Sequence, residues 1–125
     1  MEYMPAYFAQ ASIMLVALCN EPFLNLTLPA KVQAYMSCAK PILGFMNGEG
    51  RDIIEKSGCG WAVPADEVDG FAAMVRHIAS LDEGTLAEYG RSGYEFYQSN
   101  FKKDICMDRV DNSVSHIYKG ICLKE

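Results

Sequence analysis

Leu28-Pro29-Ala30-Lys31 and, three residues further on, Tyr35-Met36-Ser37-Cys38-Ala39-Lys40-Pro41-Ile42-Leu43-Gly44 decide the fold. The first group reads as the start of a helix, with Leu28 as N-cap and Pro29 at the first helical position, where the missing N–H costs nothing. Pro41 bars that helix from continuing, so a helix over residues 29–39 is predicted, followed by a strand over Pro41 to Phe45. Lys31 falls in the first turn, facing the positive end of the helix dipole at a cost of roughly 0.3–1 kcal/mol. A bound anion reverses that sign, and free amides with a lysine at one helix end suit a phosphate or diphosphate.

Working outward, Ile13-Met14-Leu15-Val16-Ala17-Leu18 is a continuous apolar run of the kind seen in parallel strands covered on both faces. A short helix over Tyr3 to Ala11 precedes it and a loop over 19–28 follows. Strand, helix and second strand make one βαβ unit, with a right-handed crossover. Asn47-Gly48-Glu49-Gly50 is a turn cluster before a helix over Arg51 to Ser57, which stops at Gly58. Gly60-Trp61-Ala62-Val63-Pro64 supplies a third strand, and Asp66 is expected to cap the next helix. There Val68, Phe71, Val75 and Ile78 recur at spacings of three and four and read as a core stripe. Asp82 starts another helix carrying Leu86, Tyr89 and Tyr97. After Asn100 a last helix carries Ile105, Cys106, Val110, Val114, Ile117 and Ile121. Three strands are few for a doubly wound sheet, which leaves the strand at Ile13 as an expected apolar edge.

The chain has 125 residues, half of them hydrophobic, which is enough for one core. With 11 basic against 16 acidic residues and a net charge of −5, nucleic acid is not an expected partner. No stretch approaches the roughly 20 apolar residues of a membrane span, and Met1-Glu2-Tyr3-Met4-Pro5 lacks the features of a signal peptide. The expected location is cytoplasmic, in a reducing compartment, because the five cysteines include no Cys-x-x-Cys pair. Cys59, between two glycines, reads as a small buried hydrophobe in a tight turn. His77 and His116 read as ordinary helix residues.

Ligands in open α/β sheets collect beyond the carboxyl ends of the strands. Two loops are predicted there: one with Glu21, Asn25, Thr27 and Leu28, the other with Glu49. Glu21 could accept from ribose hydroxyls, while Thr27, the early amides and Lys31 could hold a diphosphate. The plainer alternatives are a solvated lysine, a loop acid, a threonine bonded to its own backbone and an ordinary turn at Gly48.

The runs Met4-Pro5-Ala6-Tyr7-Phe8-Ala9-Gln10-Ala11-Ser12-Ile13, Pro29-Ala30-Lys31 with Tyr35-Met36-Ser37-Cys38-Ala39-Lys40-Pro41-Ile42, and Gly58-Cys59-Gly60-Trp61-Ala62-Val63-Pro64-Ala65 resemble the C-terminal domain of group 1 glycosyltransferases. These are retaining enzymes of the GT-B type. The resemblance covers nearly the whole chain and is closest to bacterial enzymes that add fucosamine-like sugars in O-antigen and capsule assembly. It implies an α/β fold: a partial Rossmann-like domain of about three parallel strands with flanking helices and a helical C-terminal tail. It implies no cofactor and no metal, with a nucleotide-diphosphate sugar, UDP-linked, as substrate.

By the same resemblance Glu21 matches the family's first acid and Lys31 the lysine of the helix start, which makes them the candidate catalytic residues; by their place in the two loops Asn25, Thr27, Leu28 and Glu49 are candidate substrate contacts. Two departures stand out. Ala34 occupies the place of a glutamate in the family's Pro-x-Lys-x-x-Glu-Tyr-Met pattern, and Ala39 replaces the usual glycine before Lys40-Pro41. Loss of that carboxylate removes a ribose contact worth about 1.5–3 kcal/mol if it was a charged hydrogen bond. The family's acceptor-binding N-terminal domain has no counterpart in the sequence.

Two functions are therefore expected. One is the donor-binding part of a glycosyltransferase, located in the cytoplasm or at the inner face of the membrane. The other is a non-catalytic remnant or partner subunit that needs a separate N-terminal half, or that pairs with itself through the exposed sheet edge. A flavodoxin-like receiver or FMN module fits the α/β pattern, but its loops lack an acidic cluster for Mg²⁺.

Overall fold

A computed structural model describes residues 3–122. Its elements are α1 (Met4–Gln10), β1 (Met14–Ala17), α2 (Pro22–Asn25), α3 (Ala30–Ser37), β2 (Ile42–Phe45), α4 (Glu49–Ser57), β3 (Gly60–Val63), α5 (Val68–Ala79), α6 (Glu83–Asn100) and α7 (Lys103–Cys122). The three strands form one parallel sheet in the order β1-β2-β3, with Met14 opposite Ile42 and Ile42 opposite Gly60. The expected class is thereby found: a partial Rossmann-like sheet flanked by helices, with a long helical C-terminal segment.

The core lies on the face that α3, α4 and α6 cover. Val16, Val32, Met36, Ile42, Met46, Ile54 and Cys59 are buried together there, with Leu28, Tyr35, Phe96 and Phe101 packed around them. α5 covers the opposite face, where Phe71 meets Phe45 with ring centroids 4.8 Å apart.

Several boundaries differ from the sequence reading. Pro29 is the N-cap of α3 and not its first helical residue, with φ −61° and ψ 134°. The proline ring suits this extended conformation as well as a helical one, since both share its fixed φ. Residues 19–28 are not all loop, because Pro22 nucleates the short α2 after an extended Glu21. Glu67 and not Asp66 is the N-cap of α5. Asp82 caps α6 as expected, and Gly58 ends α4 in the left-handed conformation at φ 64°.

The apolar stripes are only partly used. On α5, Ile78 is buried and Phe71 half-buried, but Val68 and Val75 are exposed. The run at Ile13 is not covered on both faces either: Met14 and Val16 are buried, whereas Leu15 is 54 % exposed. α5 packs mainly toward β3 and leaves the β1 side of its face open. On α7, Ile105 and Cys106 are half-buried while Val110, Val114 and Ile117 face solvent. The side chain of Ile121 lies outside the described residues.

Candidate functional site

The geometry begins at the first turn of α3. Pro29 has no N–H to offer, and the first bond of the helix runs from the Val32 amide to the Pro29 carbonyl at 3.0 Å. The amides of Ala30 and Lys31 precede any possible intrahelical acceptor, and no side chain caps this end. Lys31 is exposed in this turn, and no ion pair to it occurs among the described residues.

A cavity of about 350 Å³ lies against this helix start, lined by Leu15, Val16, Ala17, Leu18, Pro29, Ala30 and Lys31. Its floor is the carboxyl half of β1, so it sits where an open α/β sheet collects ligands. Such a site provides one ammonium and a helix dipole against an otherwise apolar lining, an arrangement that stabilises an anion without supplying a general base.

The second carboxyl-end loop is packed against the first. Gly48 has φ 73°, and a Cβ there would fall on the Asn25 backbone carbonyl. A Cβ on Gly50 would come within 3.3 Å of Pro29 Cδ. Only glycines let the start of α4 lie this close to the loop that leads into α3. Glu49 and Asp52 occupy the first turn of α4 and offset its dipole.

Of the residues expected in the site, Lys31 lines the cavity. Glu21, Asn25, Thr27, Leu28 and Glu49 do not line it. Glu21 is exposed at the start of α2. Asn25 donates from Nδ2 to Asn20 Oδ1 at 3.1 Å, and the Thr27 hydroxyl donates to the Leu24 carbonyl at 2.9 Å. Leu28 packs against the core. Glu49 is exposed. The strand residues from Leu15 to Leu18 were the part of the lining that the sequence reading missed. Their signal was positional, because they end the first strand directly before the loop.

Two further cavities lie elsewhere. One of about 380 Å³ surrounds Lys40 and Glu83 at the amino ends of the strands, and an apolar one of about 300 Å³ borders β1 and α5. Lys40 is already engaged, since its Nζ donates to the carbonyls of Ala9 and Ala11 at 3.0 and 2.9 Å. Cys59 is fully buried, and burial pushes its thiol above the ordinary value. Among the described residues no group of three His, Cys, Asp or Glu is placed to hold a metal ion, and no helix is long and apolar enough to cross a membrane.

Comparison with known proteins gives a consistent picture. The family model described as "Glycosyl transferases group 1" matches residues 1–80. The chain is also similar to "Probable glycosyltransferase WbjE" of Pseudomonas aeruginosa, at 30 % identity over 103 residues. That match takes in 81 % of this chain and 25 % of the relative, so the chain spans about a quarter of the length of the curated relative it matches. No solved structure matches at a comparable level of significance.

Proposed function

This chain belongs to the group 1 glycosyl transferases, and we propose that it is the part of such an enzyme that holds a nucleotide-diphosphate sugar. The observation that supports this reading is the cavity between the end of β1 and the start of α3, into which Lys31 and the uncapped first turn of the helix face. A diphosphate there meets two unpaired amides, the helix dipole and an ammonium at once. As the bond to the sugar breaks, negative charge grows on the departing diphosphate, and these groups favour it more than they favour the intact donor. Lys31 thus acts as an electrostatic stabiliser of the leaving group. The acceptor and any general base come from outside this chain. The work belongs to bacterial surface polysaccharide synthesis in the cytoplasm or at the inner face of the membrane.

Removing the ammonium tests this. Lys31→Ala is expected to weaken UDP binding in calorimetry roughly ten- to hundredfold, the equivalent of a charged hydrogen bond of about 1.5–3 kcal/mol. Equal affinity of variant and parent would count against the reading.

A second reading, a non-catalytic partner of a separate N-terminal half, is favoured by one residue. Ala34 is exposed on α3 where the resemblance implies a glutamate, and the cavity lining contains no carboxylate. Under this reading the chain binds UDP but transfers no sugar, and restoring the acid by Ala34→Glu raises donor affinity.

A further inference from the structure

We propose that Gly50 is a positioning residue for the donor cavity: having no side chain, it lets the first turn of α4 brace Pro29 and so holds the start of α3, where the amides of Ala30 and Lys31 meet the diphosphate. This role rests on the reading of the cavity as a diphosphate site. Gly50 is buried and does not itself line that cavity.

The turn before α4 grips the loop that leads into α3 at two points. At the first, Gly48 lies so close to Asn25 that a Cβ would fall on the Asn25 carbonyl, and its φ of 73° with ψ −146° suits glycine alone. At the second, Gly50 lies against Pro29: a Cβ there would stand 3.3 Å from Pro29 Cδ and 2.6 Å from Met46 Sδ. Neither obstacle yields easily. Met46 is fully buried in the core. The ring of Pro29 is closed onto its own backbone nitrogen, so a push on Cδ is a push on the main chain. The loop between the two points carries its own ties, because the Asn25 amide donates to the Glu21 carbonyl at 3.0 Å and the Thr27 amide to the Leu24 carbonyl at 3.1 Å. Leu28 packs against the core. A displacement of Pro29 therefore passes into the helix start instead of being lost in slack chain.

Pro29 is where such a displacement matters. It is the N-cap of α3, its carbonyl accepts from the Val32 amide at 3.0 Å, and Pro29, Ala30 and Lys31 stand together in the cavity lining. No side chain caps this end, so the directions of the Ala30 and Lys31 amides are set by the backbone alone. Donors already held in place bind an anion without first paying to be ordered. The Gly48-Glu49-Gly50 turn thereby serves the cavity through the close approach of its main chain.

Calorimetry with UDP on the whole chain tests this role. Gly50→Ala is expected to bind roughly three- to tenfold more weakly than the parent, a part of what charged and amide donors at this helix end contribute. A double-variant cycle separates positioning from general packing: in Pro29→Ala, which lacks the ring that the methyl group meets, adding Gly50→Ala is expected to change affinity by less than about twofold. Ile78→Val, a core change under α5 on the opposite face of the sheet, controls for lost stability and is expected to bind UDP as the parent does. If Gly50→Ala fails to fold, the same comparison is made in a Met46→Val background, which removes the buried sulfur and leaves the Pro29 contact. UDP binding that is absent from the parent, or indifferent to Lys31→Ala, overturns the diphosphate reading and this role with it. Binding that depends on Lys31 but is unchanged by Gly50→Ala, or is weakened equally with and without the Pro29 ring, overturns the role of Gly50 alone.

Discussion

Ala39 carries the clearest local strain. It has φ 53°, the left-handed region, and is the one non-glycine residue with positive φ among those described. A Cβ in that region costs roughly 1–2 kcal/mol, and glycine escapes the cost at the expense of a floppier unfolded chain. Ala39→Gly is therefore expected to raise stability by about 0.5–1 kcal/mol, seen as a rise of a few degrees in Tm. An unchanged or lower Tm would show that the turn relaxes around the methyl group. Cys59 offers a second test at this scale. Burial raises its thiol pKa, so the reactive thiolate is scarcer than in an ordinary cysteine at any given pH. Alkylation should modify Cys19 and Cys38, both exposed, and spare Cys59 until the protein unfolds. Early modification of Cys59 in a peptide map would contradict the packing. The reading of Cys59 as a buried hydrophobe followed from the tendency of a free cysteine to pack as a small core residue, here in a turn between two glycines. Its neighbour Gly93, whose added Cβ would stand 2.7 Å from Cys59 Cβ, could not be foreseen.

At the scale of elements, α6 holds the molecule together through its glycines. Gly90 and Gly93 are the buried residues of this helix, and a Cβ on Gly90 would fall on the carbonyl of Ala39. That obstacle is backbone, which cannot swing aside as a side chain can. Gly90→Ala gains about 1 kcal/mol of helix propensity but meets an overpacking cost of roughly 1–3 kcal/mol or more. The expected net result in urea unfolding is a loss. Gly120→Ala on α7, with nothing within 4 Å of the new methyl group, is the contrasting case and is expected to change stability by less than about 0.5 kcal/mol, because this exposed helix end is not packed against the rest. The element order was legible because the apolar period switches between runs and helical spacing, with Pro and Gly marking the joins. The helix starts were less so. Pro29 satisfies the demands of both the N-cap and the first helical position, and Asp66 and Glu67 are equally suited to begin α5. Of the candidate site, the lysine at the head of α3 was readable from its neighbours in the chain. Thr27 takes the plainer of its two readings, a bond to the local backbone at Leu24, whereas the engagement of Asn25 with Asn20 depends on the short α2, a segment too brief to be announced by periodicity.

Over the whole molecule, stability concentrates between the sheet and α3, α4 and α6, while the far part of α7 contributes little. Every residue from Met107 to Gly120 is exposed, including Val110, Val114 and Ile117. A chain ending at Arg109 is therefore expected to lose less than about 1 kcal/mol, since surface residues away from packed contacts rarely matter more. A larger fall in Tm would mean that this helix closes onto something. Apolar residues recur along α7 as they do along α5, but spacing reports only that one side is greasy, not that a neighbour exists to meet it. The same limit applied to Leu15 and Val75, where the sequence pattern asked for cover that the three strands and α5 do not provide.

The all-parallel arrangement of the strands has one more consequence. No two of them can be joined by a hairpin, so Met14 meets Ile42 only after α2 and α3 have been threaded across, and Ile42 meets Gly60 only after α4. Every rung of the sheet thus closes a long loop before it yields anything, which slows the approach to the native state. During that delay the stretch from Ile13 to Leu18 is sticky and unshielded. On the ribosome it emerges well before Pro41 to Phe45, the strand that pairs with it.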